Sequence, residues 1–422
     1  MKKYFLLACA FCAFGVADAA TIQFSSPDKK LQVTVADDGG RPTYRVVCGE
    51  TVFLEQSPLG LLTNIGDFSQ GMTLQESSFS SSPVSGHYEL PTIKRSKVDV
   101  RATKAVCPFY KDGKHIFDVV FHVSDHDVAF KYKMYPQGNT LCCVVKEETT
   151  GFVLPQGTTT FLCPQAGPMG GFARTSPSYE TSYTADGEMG KNGWGNGYTF
   201  PCLFRTGNKG WVLISETGVD SRYCASRLMG KDGGLYTIGF PQEGEYNGNG
   251  TACPGIALPG ETPWRTVTVG QTLAPIVETT IPYDVVEPLY EPSRRYVYGR
   301  GTWSWIIAGD NSMNYDEQKR YVDFAADMGY ESVLVDAWWD SRVGYERTAE
   351  LARYAAGKGV FVVQFQRLLE RCAPRAAWPH GQHDSPPPGD EMDEGNRHPG
   401  YQGGLHRERQ ATDHAALRRH LG

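Results

Sequence analysis

GRGTWSWIIAGDNSMNYDEQKRYVDFAADMGYESVLVDAWWD, residues Gly299–Asp340, decides how this 422-residue chain is read. It is patterned as strand, loop, helix, strand. Tyr296–Tyr298 opens a strand that is expected to run toward Trp303–Ile307. Asn314 and Glu317 form an N-x-x-E pair of the kind that caps a helix. Tyr321, Phe324, Ala325 and Met328 then recur at the spacing of one helical face. Gly329 follows as a C′ glycine. Val333–Val335 is a continuous apolar run, as expected of a parallel strand covered on both faces. Tryptophans and one carboxylate sit at the C-terminal ends of both strands, the end at which (β/α) barrels carry their chemistry.

Moving outward in the C-terminal direction, Glu346–Ala356 is patterned as a second helix with Leu351, Tyr354 and Ala355 on its apolar face. Gly357 and Gly359 end it, and Val360–Val363 begins a third strand. This β-α-β-α-β order opens a parallel barrel or a doubly wound sheet. No G-x-G-x-x-G or Walker-type loop follows a strand, which disfavours a nucleotide-binding doubly wound enzyme. Beyond Phe365 the composition changes. The segment 365–422 has no lysine and no isoleucine, and it carries His380, His383, His398, His406, His414 and His420. With Pro386–Pro388 in its middle and no periodicity, it reads as an irregular, disordered tail; a metal-binding histidine tract is the second reading, disfavoured by the scattered spacing.

Moving outward in the other direction, EPLYEP at Glu287–Pro292 reads as a linker. Before it, residues 21–290 are patterned as β. Ile22–Phe24, Leu31–Val35, Tyr44–Val47, Ile116–Val123 and Val128–Met134 are short apolar or alternating runs. Turn signals such as Asp37–Gly40 and Lys111–Gly113 separate them. A span this long with no helical periodicity indicates a many-stranded, two-sheet super-sandwich. The expected fold is therefore multidomain, β plus α/β. A leader at 1–20 and the N-terminal β-sandwich at 21–290 are followed by the first three strands of an incomplete (β/α)8 TIM barrel at 291–363, then an irregular tail at 364–422.

The leader has a basic start at Lys2 and Lys3, an apolar stretch over Tyr4–Val16 and an Ala17-Asp18-Ala19 cleavage signal. This implies cleavage after Ala19 or Ala20 and a periplasmic or secreted product. No internal run is long enough to span a bilayer. The formal net charge of -6 disfavours a nucleic-acid partner. The chain has 11 cysteines at irregular spacing; the C-x-x-C of Cys9 and Cys12 lies inside the leader, and no such pair outside it suggests zinc. Of the neighbours Cys142 and Cys143, at most one can face a core from a strand.

Several motifs together resemble glycoside hydrolase family 97. They are TWSW (Thr302–Trp305), the long run Tyr315–Trp339, SPD (Ser26–Asp28), SPLGL (Ser57–Leu61), KEE (Lys146–Glu148) and TPWR (Thr262–Arg265). The resemblance spans roughly residues 24–363. It implies an exported α-glucosidase or α-galactosidase with an N-terminal super-sandwich, a catalytic barrel and bound Ca²⁺, acting on an oligosaccharide or α-glycoside. It also bears on the tail. Read one nucleotide later, the codons of Gln364–Ala373 can encode NSNGYWNDAP, and those of Tyr401–Gln410 can encode IKVDFIGSDK. Both match the family's continuation in order and spacing, so a frameshift between about Gly359 and Gln364 is expected.

Glycoside hydrolysis uses two carboxyl groups flanking the scissile bond. The resemblance places both on later barrel strands, so no catalytic residue is assigned in this chain, and the chain itself is expected to be inactive. The aspartate of the shifted Lys-Val-Asp-Phe implies a retaining, α-galactosidase-like intact form. Glu180 matches the glutamate that the family's β domain lends to calcium; a solvated loop glutamate is the alternative. With the other ligands on missing strands, weak or absent calcium binding is expected. Asp336 can hydrogen-bond a sugar hydroxyl or act as a cap or loop ion pair. Trp303, Trp305, Trp338 and Trp339 can form a sugar-stacking floor or barrel core. The Gly-rich run Gly190–Gly197 with Trp194, and Tyr198 just after it, suggests a flexible loop. A non-catalytic carbohydrate-binding β-sandwich is the rival reading.

Overall fold

The computed structural model describes residues 19–90, 93–165, 182–242, 245, 252–291, 293, 298–364 and 401–403. The chain divides into two units, Met1–Glu287 and Pro288–Gly422. Among the described residues, no helix is long and apolar enough to cross a membrane.

The first unit is built on a ten-stranded sheet. Its path runs Thr158–Phe161, Cys202–Thr206, Gly210–Thr217, Trp264–Gly270, Asp127–Met134, Lys114–Val123, Lys97–Lys111 and Thr73–Leu74. Gly260–Glu261 and Ser80–Glu89 join it off this path, and every pairing is antiparallel. Among the described residues, a four-stranded meander, Thr21–Ser25, Leu31–Asp38, Arg41–Cys48 and Thr51–Pro58, and two three-stranded sheets make up the other sheets of this unit. Alternation explains the packing. Leu31, Val33 and Val35 are sealed from solvent while Gln32 and Thr34 between them are half-exposed, which is the signature of a sheet with one wet face. Aromatic rings link the meander to the large sheet: Phe24 lies 5.2 Å from Phe121, and Tyr44 lies 5.0 Å from Phe130. The tight turn before Lys114 carries Asp112 at φ 50° and Gly113 at φ 72°, the geometry that a two-residue hairpin with native twist requires. Cys143 is buried and Cys142 exposed, as strand alternation demands.

The motifs of this unit hold the sandwich together. Ser26 Oγ donates to Asp28 and accepts from the Leu31 N–H, closing the first hairpin. Gly60, at φ 139°, gives its N–H to the buried Tyr132 hydroxyl at 2.8 Å. Glu148 and Arg265, from KEE and TPWR, meet as a buried two-pronged ion pair with N–O distances of 2.8 and 2.6 Å.

The second unit contains a parallel sheet of Gly301–Trp303, Ser332–Val335, Phe361–Gln364 and Tyr401–Gly403 in that order. The helices Tyr315–Asp327 and Tyr345–Gly357 connect the first three strands. Asn314 caps the first helix by accepting the Glu317 N–H at 3.0 Å. Gly329, at φ 65°, ends it in a Schellman arrangement, with Tyr330 N bonded to Ala325 O and Gly329 N to Ala326 O.

Three local expectations are corrected. The strand after Gly299 stops at Trp303, and Trp305–Ala308 is a short helix followed by a 3-10 turn over Gly309–Ser312. The apolar run continues past the strand, but the backbone turns at Ser304 and leaves Ile306 and Ile307 exposed. The buried stripe of the first long helix is Gln318, Val322 and Ala325, while Phe324 and Met328 are each 50% exposed. The helix presents two apolar stripes, and only one faces the sheet. In the second helix the buried residues are Thr348, Leu351, Ala352 and Ala355. Tyr354 is partly buried, and its hydroxyl donates to Asp323. Gly359 at φ 76° is the C′ residue, whereas Gly357 lies inside the helix.

Candidate functional site

The candidate site lies at the C-terminal ends of the first two parallel strands. Along Ser332–Val335, Val333 and Val335 point into the core shared with the two helices. Alternation therefore puts Ser332, Leu334 and Asp336 on the other face, the one that looks inward in a closed barrel. Trp303 occupies the matching position at the end of its own strand, beside the buried Thr302.

These two side chains meet. The Trp303 indole N–H donates to Asp336 Oδ2 at 2.8 Å, and the Ala337 N–H donates to Oδ1. A carboxylate has about four acceptor positions, so Asp336 retains capacity for a ligand hydroxyl. Trp303 also stacks on Trp305, with centroids 5.8 Å apart and planes at 18°. The two indoles are 38% and 44% exposed. The Trp305 N–H is anchored on Asp310 at 3.1 Å. Asp310 in turn accepts from Arg342, whose guanidinium lies 5.8 Å from the Trp338 ring. Asp336 thus joins Trp303, while Asp310 and Arg342 tie Trp305 and Trp338 into the same rim. Trp339 separates from this group. It is buried in the helix–sheet core and packs edge-on against Tyr345 at 4.9 Å.

Trp338 adopts φ 72°, a left-handed conformation that is costly for a bulky residue. Such backbone is stored where the surroundings fix it, often at binding sites. Sequence reading missed Asp310 and Arg342. They lie 32 residues apart, and nothing in either local pattern announces the contact. Gln364, at the end of the third strand, is fully buried, and neither side-chain amide atom has a hydrogen-bond partner.

In the first unit, Tyr198 is pinned rather than flexible. It is buried, and its backbone exchanges hydrogen bonds with Leu228 in both directions. Trp194 on the preceding turn is 65% exposed. Gly193 and Gly197 there let the chain approach Pro164 and Met229 more closely than any Cβ would allow, so the glycines serve contact instead of looseness. Glu180 lies outside the described residues, as does most of the tail. Among the described residues, no group of three His, Cys, Asp or Glu side chains could hold a metal ion.

As chemistry, the rim offers stacked indole faces and an acceptor carboxylate, which suits a neutral ring bearing hydroxyl groups. One carboxylate bonded to an indole is not a hydrolytic pair; hydrolysis of a glycoside needs a second, placed about 5–5.5 Å away for retention.

The family model described as Glycosyl-hydrolase 97 N-terminal matches residues 24–288. A probable retaining alpha-galactosidase of Streptomyces bingchenggensis is 31% identical over 319 residues, covering 75% of this chain and 45% of that protein. The crystal structure of a beta-arabinopyranosidase is 51% identical with a TM-score of 0.77, covering 82% of this chain and 55% of that one. A Glycoside Hydrolase Family 97 enzyme in complex with acarbose, from a Pseudoalteromonas species, shares the fold at 20% identity and a TM-score of 0.66, covering 82% of this chain and 54% of that one. The chain spans about half the length of the curated relatives it matches.

Proposed function

Because this chain belongs to glycoside hydrolase family 97, we propose that its intact form removes a terminal pyranose of α-galacto configuration with retention. The observation that carries the saccharide reading is the Trp303–Asp336 hydrogen bond at the strand ends. It fixes an aromatic face and an acceptor carboxylate side by side. The choice of sugar is supported by two relatives whose names converge. A β-L-arabinopyranoside has the ring configuration of an α-D-galactopyranoside and lacks only the C6 hydroxymethyl group. A rim that reads the ring hydroxyls would accept both and discriminate against the C4 epimer, an α-glucoside.

Trp303, Trp305 and Trp338 line the apolar side of the bound sugar, and Asp336 accepts from its hydroxyls. No residue of the chain is assigned as nucleophile or general acid. The 422-residue chain is inactive under this reading, and the tail arises from a one-nucleotide frameshift between about Gly359 and Gln364. Sequencing the gene across codons 355–370 tests the frameshift. Activity is tested with aryl α-galactoside, aryl β-L-arabinopyranoside and aryl α-glucoside, on the chain and on its frame-restored counterpart. Turnover of the first two substrates, only after restoration, is expected. Turnover by the chain as it stands would refute its inactivity, and preference for the glucoside would refute the assigned sugar.

Export follows from the leader. For calcium, Glu180 is one carboxylate against the 6–8 oxygens that Ca²⁺ takes. The remaining ligands that the family resemblance implies lie on later barrel strands, so weak or absent calcium binding is the expected result for this chain; tight calorimetric binding would overturn that.

A further inference from the structure

Asp37 is a buried carboxylate, 9% exposed, held by backbone alone. Its Oδ1 accepts the Ala20 N–H at 2.8 Å and its Oδ2 accepts the Leu74 N–H at 2.9 Å. Asp37 N also donates to Ala20 O at 3.2 Å, so Ala20 is bound from both sides. None of the ion pairs among the described residues includes Asp37, although a buried carboxylate is costly without a positive partner. The next residue differs: Thr21 N donates to Glu76 at 3.1 Å, in an exposed contact.

Resting on the export reading above, we propose that a signal peptidase cuts the Ala19–Ala20 bond and that the new Ala20 α-ammonium is the counter-ion of Asp37. Hydrolysis of that peptide bond places the water's hydroxyl on the Ala19 carbonyl and leaves Ala20 as an amine, which takes up a proton below its usual pKa of about 8. The neutral N–H donor at Asp37 Oδ1 then becomes a charged one. Charge-assisted hydrogen bonds are roughly twice as strong as neutral ones. Processing thereby stabilises the first sheet, and the cut falls before Ala20 rather than before Thr21.

The experiment has two arms. The full chain is expressed with its leader in an exporting host, and its intact mass is measured. A mature chain beginning at Ala20 is expected; one beginning at Thr21, or retaining the leader, overturns the proposal. Separately, the chain beginning at Ala20 is compared with one carrying a neutral Gly-Ser extension before Ala20. The Ala20 form should unfold at a urea midpoint higher by about 0.5 M, and Asp37→Asn should abolish the difference. The advantage should be present at pH 6 and be lost as pH rises through the α-amino pKa, which pairing raises above its unfolded value. Equal midpoints for the two forms, or a difference that survives Asp37→Asn, would overturn the ion pair. Should Asp37→Asn fail to fold, the pH dependence of the two native-sequence forms still decides.

Discussion

Arg265 is sealed from solvent at the end of TPWR. Burial works against its charge, and the neighbouring Glu148 and Glu216 outweigh that, so the guanidinium is held above its ordinary pKa. Ser226 adds a hydrogen bond at 3.0 Å, and the Tyr223 hydroxyl completes Glu148 at 3.0 Å. Removing one partner of such a set leaves a charge buried alone, a loss of about 3–5 kcal/mol. Arg265→Met is expected to lower unfolding stability by that amount in urea titration, and Arg265→Met with Glu148→Leu should recover part of it. His122 makes the opposite case. Both ring nitrogens are buried without a partner, and burial holds its pKa below the ordinary imidazole value despite the nearby Asp127. The unfolded chain therefore binds the proton more readily. Stability is full above the unfolded value of about 6.5 and falls as pH drops from there toward the depressed native value. Urea midpoints measured between pH 8 and pH 5 should show this decline, and His122→Phe should flatten it.

At the scale of elements, the first long helix is specified at both ends. The Asn314 side chain satisfies one orphan N–H, so Asn314→Ala should cost about 1 kcal/mol. Gly329 turns the chain in the left-handed region, and Gly329→Ala should cost about 1–2 kcal/mol. Hydrogen exchange of residues 315–327 reads both, as faster exchange without change elsewhere. These ends were legible in the sequence because caps and C′ glycines act within a few residues. The buried stripe was not, because Tyr321, Phe324 and Met328 are as apolar in pattern as Val322 and Ala325. Only the neighbouring sheet decides between them. The rim followed the same logic: Trp303 and Asp336 were readable as strand ends, whereas the Asp310–Arg342 tie required the fold to bring distant loops together.

On the scale of the molecule, the second unit has an unfinished look that its own burial pattern explains. Val333, Val335, Val360 and Val362 are shielded by the helices, whereas Leu334, Phe361 and Val363 on the opposite face are only half-buried. A closed barrel shields that face with side chains from the other strands. On the frameshift reading proposed above, frame restoration should raise stability as well as activity. A higher melting temperature for the restored chain is the expected result, and an unchanged one would argue that these strands already sit in their final environment.

The strand Trp264–Gly270 lies in the middle of the ten-stranded sheet, between Gly210–Thr217 and Asp127–Met134. It is also the last strand of that sheet to be synthesised. As the chain emerges N-terminus first, the sheet's two halves wait without the piece that joins them. Each has a bare inner edge able to pair with the wrong partner. For this protein the vulnerable interval is set by the order in which the strands emerge, and a holding chaperone would matter most just before residue 264 is available.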